Sequence, residues 1–380
     1  MKEIYLDHAA TSPMHPAVIE KMAEVMGEVF GNPSSIHSIG RHARKYLDEA
    51  RTVIAGAIGA KDQEIIFTSG GSEADNLAIA GTAHARCAEG RHIITTQIEH
   101  HAVLHTCQQL ENEGFEVTYL PVNNKGLISL DDLKSALRDD TILVTVMLGN
   151  NEVGTLQPIK EIGAILKDHQ ASFHTDAVQA FGIQKINVDE LQVDLLSVSS
   201  HKLNGPKGLG FLYQRDNAKI HPIIFGGEQE RKRRAGTENV PAIVGFAEAT
   251  KIAQQNFEEK QLQFDNFRTT FLKALDEADI TYHVNGDEIH YLPHVLNISF
   301  PGMDVESFLV NLDIAGIAAS SGSACTAGSI DPSHVLVAMF GKDANELRNS
   351  IRFSFGYGLT LEDIQTAVEK TIEIVKRLVK

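Results

Sequence analysis

Short apolar runs and longer amphipathic stretches take turns along the first two hundred or so residues. The runs Glu64–Thr68, His92–Thr96, Phe115–Leu120, Ile142–Leu148, Ser172–Thr175, Leu195–Val198 and Gly210–Tyr213 are too short for helices and read as strands. Between them, apolar positions recur at helical spacing over Glu73–Ala85, Ile98–Glu113, Ser129–Leu137 and Ile159–His169. Two further helical patterns come first, Pro16–Val29, with its proline in the first turn, and Ser38–Ile58. Strands alternating with helices over this length imply an α/β fold with a mostly parallel sheet covered on both faces.

Beyond about residue 215 the pattern changes. A charged, glycine-flanked loop, Phe225–Thr237, leads into one long helix, Val240–Asn266, expected to carry the chain from a large domain to a small one. Strands at Val295–Ser299, Gly316–Ala319 and Ile351–Phe355, with helices at Val305–Leu312, Ser333–Phe340 and Leu361–Val379, form a compact α+β unit. Residues 1–15 read as an extended arm. The expected division is residues 16–255 as the large domain, with 1–15 and 256–380 as the small one; 380 residues suit two cores.

Composition alters this picture little. With 43% hydrophobic and 22% charged residues the chain is ordinary globular material. A formal charge of −16 argues against direct nucleic-acid binding, and the basic run Arg231–Arg234, with glutamates beside it, reads as a solvated face. The first residues carry Glu3 and Asp7 where a signal peptide needs basic residues, and Ile142–Leu148 is far too short to span a bilayer. A cytoplasmic protein with no membrane contact is expected. Three sparse cysteines, Cys87, Cys107 and Cys325, make neither a disulfide framework nor a zinc site.

The chemistry collects where strands end. Leu195–Val198 runs into Ser199-Ser200-His201-Lys202 and then the turn Asn204-Gly205-Pro206-Lys207-Gly208. A lysine at the carboxyl end of a core strand lies where open α/β sheets bind ligands, and desolvation there favours Schiff-base chemistry. A lysine that merely snorkels to solvent is the plainer reading. Ser69-Gly70-Gly71-Ser72 opens a helix whose first amides suit a phosphate, or whose N-cap is simply Ser72. No Gly-Lys-Ser/Thr follows, so this is not a Walker loop. His100 stands at another strand-to-helix junction, where it could stack on an aromatic cofactor or serve as a cap. His101 and His105 share a helix face, but no carboxylate or third ligand supports a metal there. Asp176 ends a strand, with Gln179 three residues on, and a carboxylate facing a pyridine nitrogen makes that ring an electron sink. Together with Asn151, which follows Ile142–Leu148, the set is coherent for pyridoxal phosphate.

Ala319–Ser329 is built almost entirely of small residues, so it is expected to be a mobile loop. Cys325 within it is a candidate nucleophile, and a buried inert thiol fits that composition badly. No local motif supports a cysteine protease. Cys87 and Cys107 fall in helical patterns and read as fillers.

Several motifs then align at once. They are Tyr5-Leu6-Asp7-His8-Ala9-Ala10-Thr11, Gly31-Asn32-Pro33-Ser34-Ser35, Thr68 to Asn76, Asn150-Asn151-Glu152-Val153-Gly154, His174 to Gln179, Ser199 to Lys202, Arg234-Ala235-Gly236-Thr237 and Ser320 to Thr326. On these the chain resembles, over its whole length, the NifS/IscS-type cysteine desulfurases of the class V aminotransferase group, in the branch with the extended cysteine loop. The resemblance implies the pyridoxal-phosphate-dependent transferase fold of type I aminotransferases, and a homodimer that turns L-cysteine into L-alanine. It also implies roles. Lys202 would hold the cofactor and move protons, His100 stack on its ring and act in acid–base steps, Asp176 pair with the ring nitrogen and Gln179 with the ring hydroxyl. Gly71, Ser72, Ser199 and His201 would bind the phosphate, joined by Thr237 from the other subunit, with the Arg231–Arg234 run part of that inter-subunit loop. Asn151 and Arg352 would hold the substrate carboxylate. Cys325 would take the sulfur as a persulfide for protein acceptors in iron–sulfur cluster assembly or tRNA thiolation. Ser72 departs from the threonine more usual in the family but keeps the hydroxyl. The competing expectations are a class V aminotransferase or selenocysteine lyase, and a non-catalytic sulfur-relay protein.

Overall fold

The computed structural model describes residues 3–321 and 332–379. Among these, strands fall in three sheets: β1 (Ile4–Tyr5), β2 (Ile65–Thr68), β3 (His92–Thr96), β4 (Glu116–Leu120), β5 (Thr141–Thr145), β6 (Ser172–Asp176), β7 (Leu195–Ser199), β8 (Gly210–Gln214), β9 (His283–Asn285), β10 (Val295–Ser299), β11 (Ile317–Ala318) and β12 (Ser350–Ser354). The main sheet has seven strands in the order β2-β8-β7-β6-β5-β3-β4, parallel except for β8, which runs antiparallel to both neighbours. Every residue of β5, β6 and β7 is buried, as two helix-covered faces require.

Polar residues inside this sheet answer one another. His92 meets Thr141 (2.7 Å) and Thr118 (2.8 Å), and His174 meets Thr145 (2.8 Å) and Ser197 (2.9 Å). Burial pushes His174 down to about 3, so it stays neutral and acts as a strut between strands.

The remaining strands make an antiparallel sheet β12-β10-β9 and a parallel pair β1-β11. Chain after β1 stitches these to the main sheet. Ser354 donates to Leu6 O (2.7 Å), Ala9 N donates to Ser354 Oγ (2.9 Å), and Ser12 donates from both N (3.1 Å) and Oγ (2.6 Å) to His201 O. The N-terminal arm is therefore laid across the end of β7.

Two expectations need correction. The single helix Val240–Asn266 is two helices, Val240–Gln255 and Phe257–Glu277, parted at Asn256. Asn256 turns its amide back to Ile252 O (3.4 Å), the local competition with the backbone that makes asparagine a poor interior helix residue. The two halves also pack on different partners, the first on the helices Pro16–Glu28 and Ser38–Ala57, the second on Leu361–Leu378. The strand Ile142–Leu148 leaves its regular ladder at Thr145, although Val146 and Leu148 still donate to β6 at His174 O and Asp176 O (3.1 and 2.8 Å).

Candidate active site

Where β7 ends, the backbone tightens into a 3-10 turn, Ser200–Leu203, closed by Asn204 in the left-handed conformation (φ 65°). Gly205 is obligatory here, since a Cβ on it would lie 2.1 Å from Ser200 Oγ. The turn lifts Lys202 under the N-terminal arm, where its Nζ donates to Ala9 O (2.5 Å) and Ala10 O (2.7 Å). Burial, with Arg352 nearby, pushes this amine down to about 8, against the opposing pull of Asp176 and Asp7. A lysine so placed loses its proton far more readily than a surface one.

The helix Gly71–Arg86 begins at Gly70 with no side-chain cap, so Ser72 does not act as one. Its first amides remain available at the positive end of the helix dipole. Gly71 allows the close approach: a Cβ would meet Val178 Cγ2 at 2.8 Å and Ser199 Cβ at 3.5 Å. His201 is held by Thr11 Oγ1 (3.1 Å) and kept neutral, at about 4, by burial and by Lys202.

Asp176 is buried at the end of β6, one carboxylate oxygen accepting Val178 N (2.8 Å), and burial lifts it to about 6. Gln179, also buried, donates to Ala9 O (2.9 Å). His100 is the N-cap of the helix His101–Asn112: its Nδ1 accepts Ala102 N (3.1 Å). That bond leaves the proton of the neutral ring on Nε2, and burial together with Lys202 lowers the ring to about 4. Arg352 on β12 reaches across from the second sheet, donating to Asn151 O (2.9 Å) and to Asp7 Oδ1 (2.7 Å), while its Nε has no partner.

The structure thus brings together Gly71, Ser199, His201, Lys202, Asp176, Gln179, Asn151 and Arg352, with His100 close enough to Lys202 to feel its charge. Thr237 is exposed, and Arg234 beside it is tied to Glu73 at the start of the phosphate-facing helix (2.8 Å). Cys325 lies outside the described residues. The flanks of its segment are fastened nearby: Arg352 N donates to Ser320 O (2.6 Å), Ser333 Oγ to Glu152 (2.5 Å), and the His334 ring meets Glu99 O (2.8 Å).

Sequence reasoning missed Asp7, Asp75 and Glu99. Asp75 Oδ1 makes no hydrogen bond, lying 3.7 Å from the neutral His174 ring, and the group is raised by burial and by Asp176; Glu99 is raised to about 8 by burial, despite bonds from Met147 and Thr96. Only their positions inside the Tyr5–Thr11 motif, the glycine junction and the residue before His100 could have flagged them. His101 stacks on His105 (5.0 Å) and packs on His334 (4.7 Å), yet among the described residues no three such side chains form a group able to hold a metal. Nor is any described helix long and apolar enough to cross a membrane.

These residues fit pyridoxal phosphate on their own terms: a lysine of lowered basicity, a buried carboxylate without a cation, and an uncapped helix start opened by glycine. Comparison with known proteins agrees. Residues 4–366 match the family described as aminotransferase class-V. A Bacillus subtilis (strain 168) relative, provisionally named cysteine desulfurase IscS 1, is 62% identical over 100% of both chains. Cysteine desulfurase IscS of Methanosarcina thermophila is 50% identical over 99% of this chain and 93% of its own. Among solved structures, a NifS-like protein superposes with a TM-score of 0.92 at 35% identity, covering 99% of this chain and 100% of that one. A structure described as SspA in complex with cysteine gives 0.81 at 38% identity, over 93% and 98%.

Proposed function

The chain belongs to the class V aminotransferase family, as a pyridoxal-phosphate-dependent cysteine desulfurase of the NifS/IscS type, and from that premise we propose how its residues divide the work. The cofactor supplies an electron sink that labilises its substrate. Lys202 holds it and carries protons at Nζ; a resting basicity near 8 lets that nitrogen both give and take a proton around neutral pH. Asp176 faces the ring nitrogen and Gln179 the ring hydroxyl, while Gly71, Ser72, Ser199 and His201 grip the phosphate. His100 stacks on the ring and presents its Nε2 as acid–base group. Arg352, exchanging part of its bond to Asp7, takes the substrate carboxylate with Asn151. Cys325 attacks the substrate sulfur; the carbon–sulfur bond breaks, leaving L-alanine and an enzyme persulfide. The persulfide passes to a protein acceptor, an iron–sulfur scaffold or a tRNA-thiolation enzyme.

The same reading makes the enzyme a cytoplasmic homodimer, with residues 16–255 as the cofactor domain and 1–15 plus 256–380 as the small domain. Thr237 would then complete the partner's phosphate site. Apolar Phe30, Ile36 and Phe225, exposed by 81, 90 and 83%, support a subunit contact, because their segments converge on the cleft shared by Ser34 and Glu228.

The observation that carries the proposal is the half-buried Lys202, unpaired with any carboxylate among the described residues and held between the arm, Asp176 and Arg352. The deciding experiment is Cys325→Ala assayed with L-cysteine and a reductant. Sulfide release should vanish while the visible band of the bound cofactor survives. Wild-type sulfide release from that variant would sink the persulfide assignment.

A further inference from the structure

His294 immediately precedes β10 and stands 115 residues from Gln179 in sequence, yet its buried ring reaches it: Nε2 stands 3.3 Å from Gln179 Oε1. At its other end the Gln179 amide nitrogen lies 2.9 Å from Ala9 O, which can only accept. Both contacts demand the same amide orientation. The nitrogen must face Ala9, and the oxygen must face a ring nitrogen that carries a proton. His294 supplies that proton as a neutral imidazole, and its Nδ1, without a partner, is left as the bare lone pair. Every charged or titratable side chain acting on it, Lys260, His8, Lys202 and Arg352, opposes a second proton, as does burial, which lowers the ring to about 3. Phe264 packs beside it, ring centres 6.2 Å apart.

The amide's donors can then be counted. Gln179 has two N–H groups and Ala9 O takes one; the other meets no acceptor among the described residues. Ala9 O also receives Lys202 Nζ, so the spare N–H belongs to a nitrogen that shares an acceptor with the cofactor-holding amine. We infer that His294 is a positioning residue, holding the Gln179 amide so that an N–H, and not the carbonyl oxygen, is offered to the ring hydroxyl of pyridoxal phosphate. The inference rests on Gln179 being the ring-hydroxyl ligand. A donor at that place favours the ring oxygen as an anion, with the proton on the Lys202 nitrogen; an acceptor there would draw the proton onto the ring oxygen. The first form absorbs in the visible and the second in the near ultraviolet, so the device has a colour.

The test compares His294→Leu, which removes the donor, with His294→Gln, whose amide nitrogen can replace Nε2, and with Gln179→Leu. Each is read by the ratio of visible to near-ultraviolet absorbance and by cofactor affinity of the stripped protein, with circular dichroism as the check on folding. H294L should lose visible absorbance in favour of the near ultraviolet and bind the cofactor about tenfold more weakly, the scale of one hydrogen bond, while H294Q stays near wild type. A merely structural histidine would lower melting temperature in both variants and leave the ratio alone. Wild-type ratio and affinity in H294L, with Q179L altered, overturns the role of His294 alone. An unaltered Q179L overturns the reading of Gln179 itself. If H294L does not fold, His294→Met serves with the same two outcomes, and an H294Q that behaves like H294L also overturns the inference.

Discussion

The two ends of the main sheet are both polar, and they differ in whether their charges are answered. At the amino end a cavity of about 430 Å³ is lined by Arg86, Glu89, Asp189, Arg215 and Lys219. Here both arginines and Lys219 are paired with carboxylates: Arg86 with Glu89 (2.7 Å), Lys219 with Glu89 (2.6 Å), Arg215 with Asp189 (2.7 Å). Arg86 and Arg215 also satisfy backbone carbonyls of the strands and their approaches. At the carboxyl end, Asp176 and Glu99 are buried and Lys202 half-buried, and these three, with His100, have no ion-pair partner among the described residues; desolvation is the first cause of each shift. A large polar cavity is thus compatible with pure structure. Groups held away from their ordinary protonation mark the end that does chemistry.

Substitutions at the two ends should separate cleanly. The largest effect is expected from Lys202→Ala, which should cut sulfide release by about 10³-fold or more, the upper range of a positioned acid–base group, and abolish the visible band. At the amino end, Arg215→Met should lower unfolding free energy by about 2 kcal/mol in denaturant titration, through lost charge-assisted bonds. Sulfide release per folded molecule should not change, and a fall in turnover there would break the contrast between the ends. A third effect, seen only as a change with pH, concerns Glu99→Gln. With its folded carboxyl near 8 and an ordinary value near 4.5, the wild-type group stabilises the fold below about 4.5, and that stability is lost as pH rises to about 8. The glutamine cannot titrate, so stability relative to wild type should climb between pH 5 and 8 and then level off. Parallel stability curves over that interval would show that Glu99 is ionised in the fold and that the carboxyl end is less desolvated than described.

Much of the carboxyl end is legible in one dimension. Lys202, Asp176 and His100 each lie within four residues of the end of one of these runs, so once the runs are strands the side chains must gather on one edge. The glycine pair before Ser72 announces a helix start that a ligand can approach. The rest depends on distances that no local pattern encodes. Ala9 and Ala10 meet Lys202, Asp7 meets Arg352, and His294 meets Gln179 only because the N-terminal arm and the β12-β10-β9 sheet fold back over the strand ends. The strand β9 escaped notice because three residues at a sheet edge carry no usable alternation, and the break at Asn256 because a helical apolar pattern continues on both sides of it.

By itself, then, the sequence determined the α/β alternation, the lysine, carboxylate and imidazole at the strand ends, and the cysteine that names the chemistry, since these are properties of residue type and period. Tertiary structure decided the protonation of those groups and the orientation of their amides and rings. Both follow from desolvation and from partners far away in the chain, which exist only after the sheets have packed.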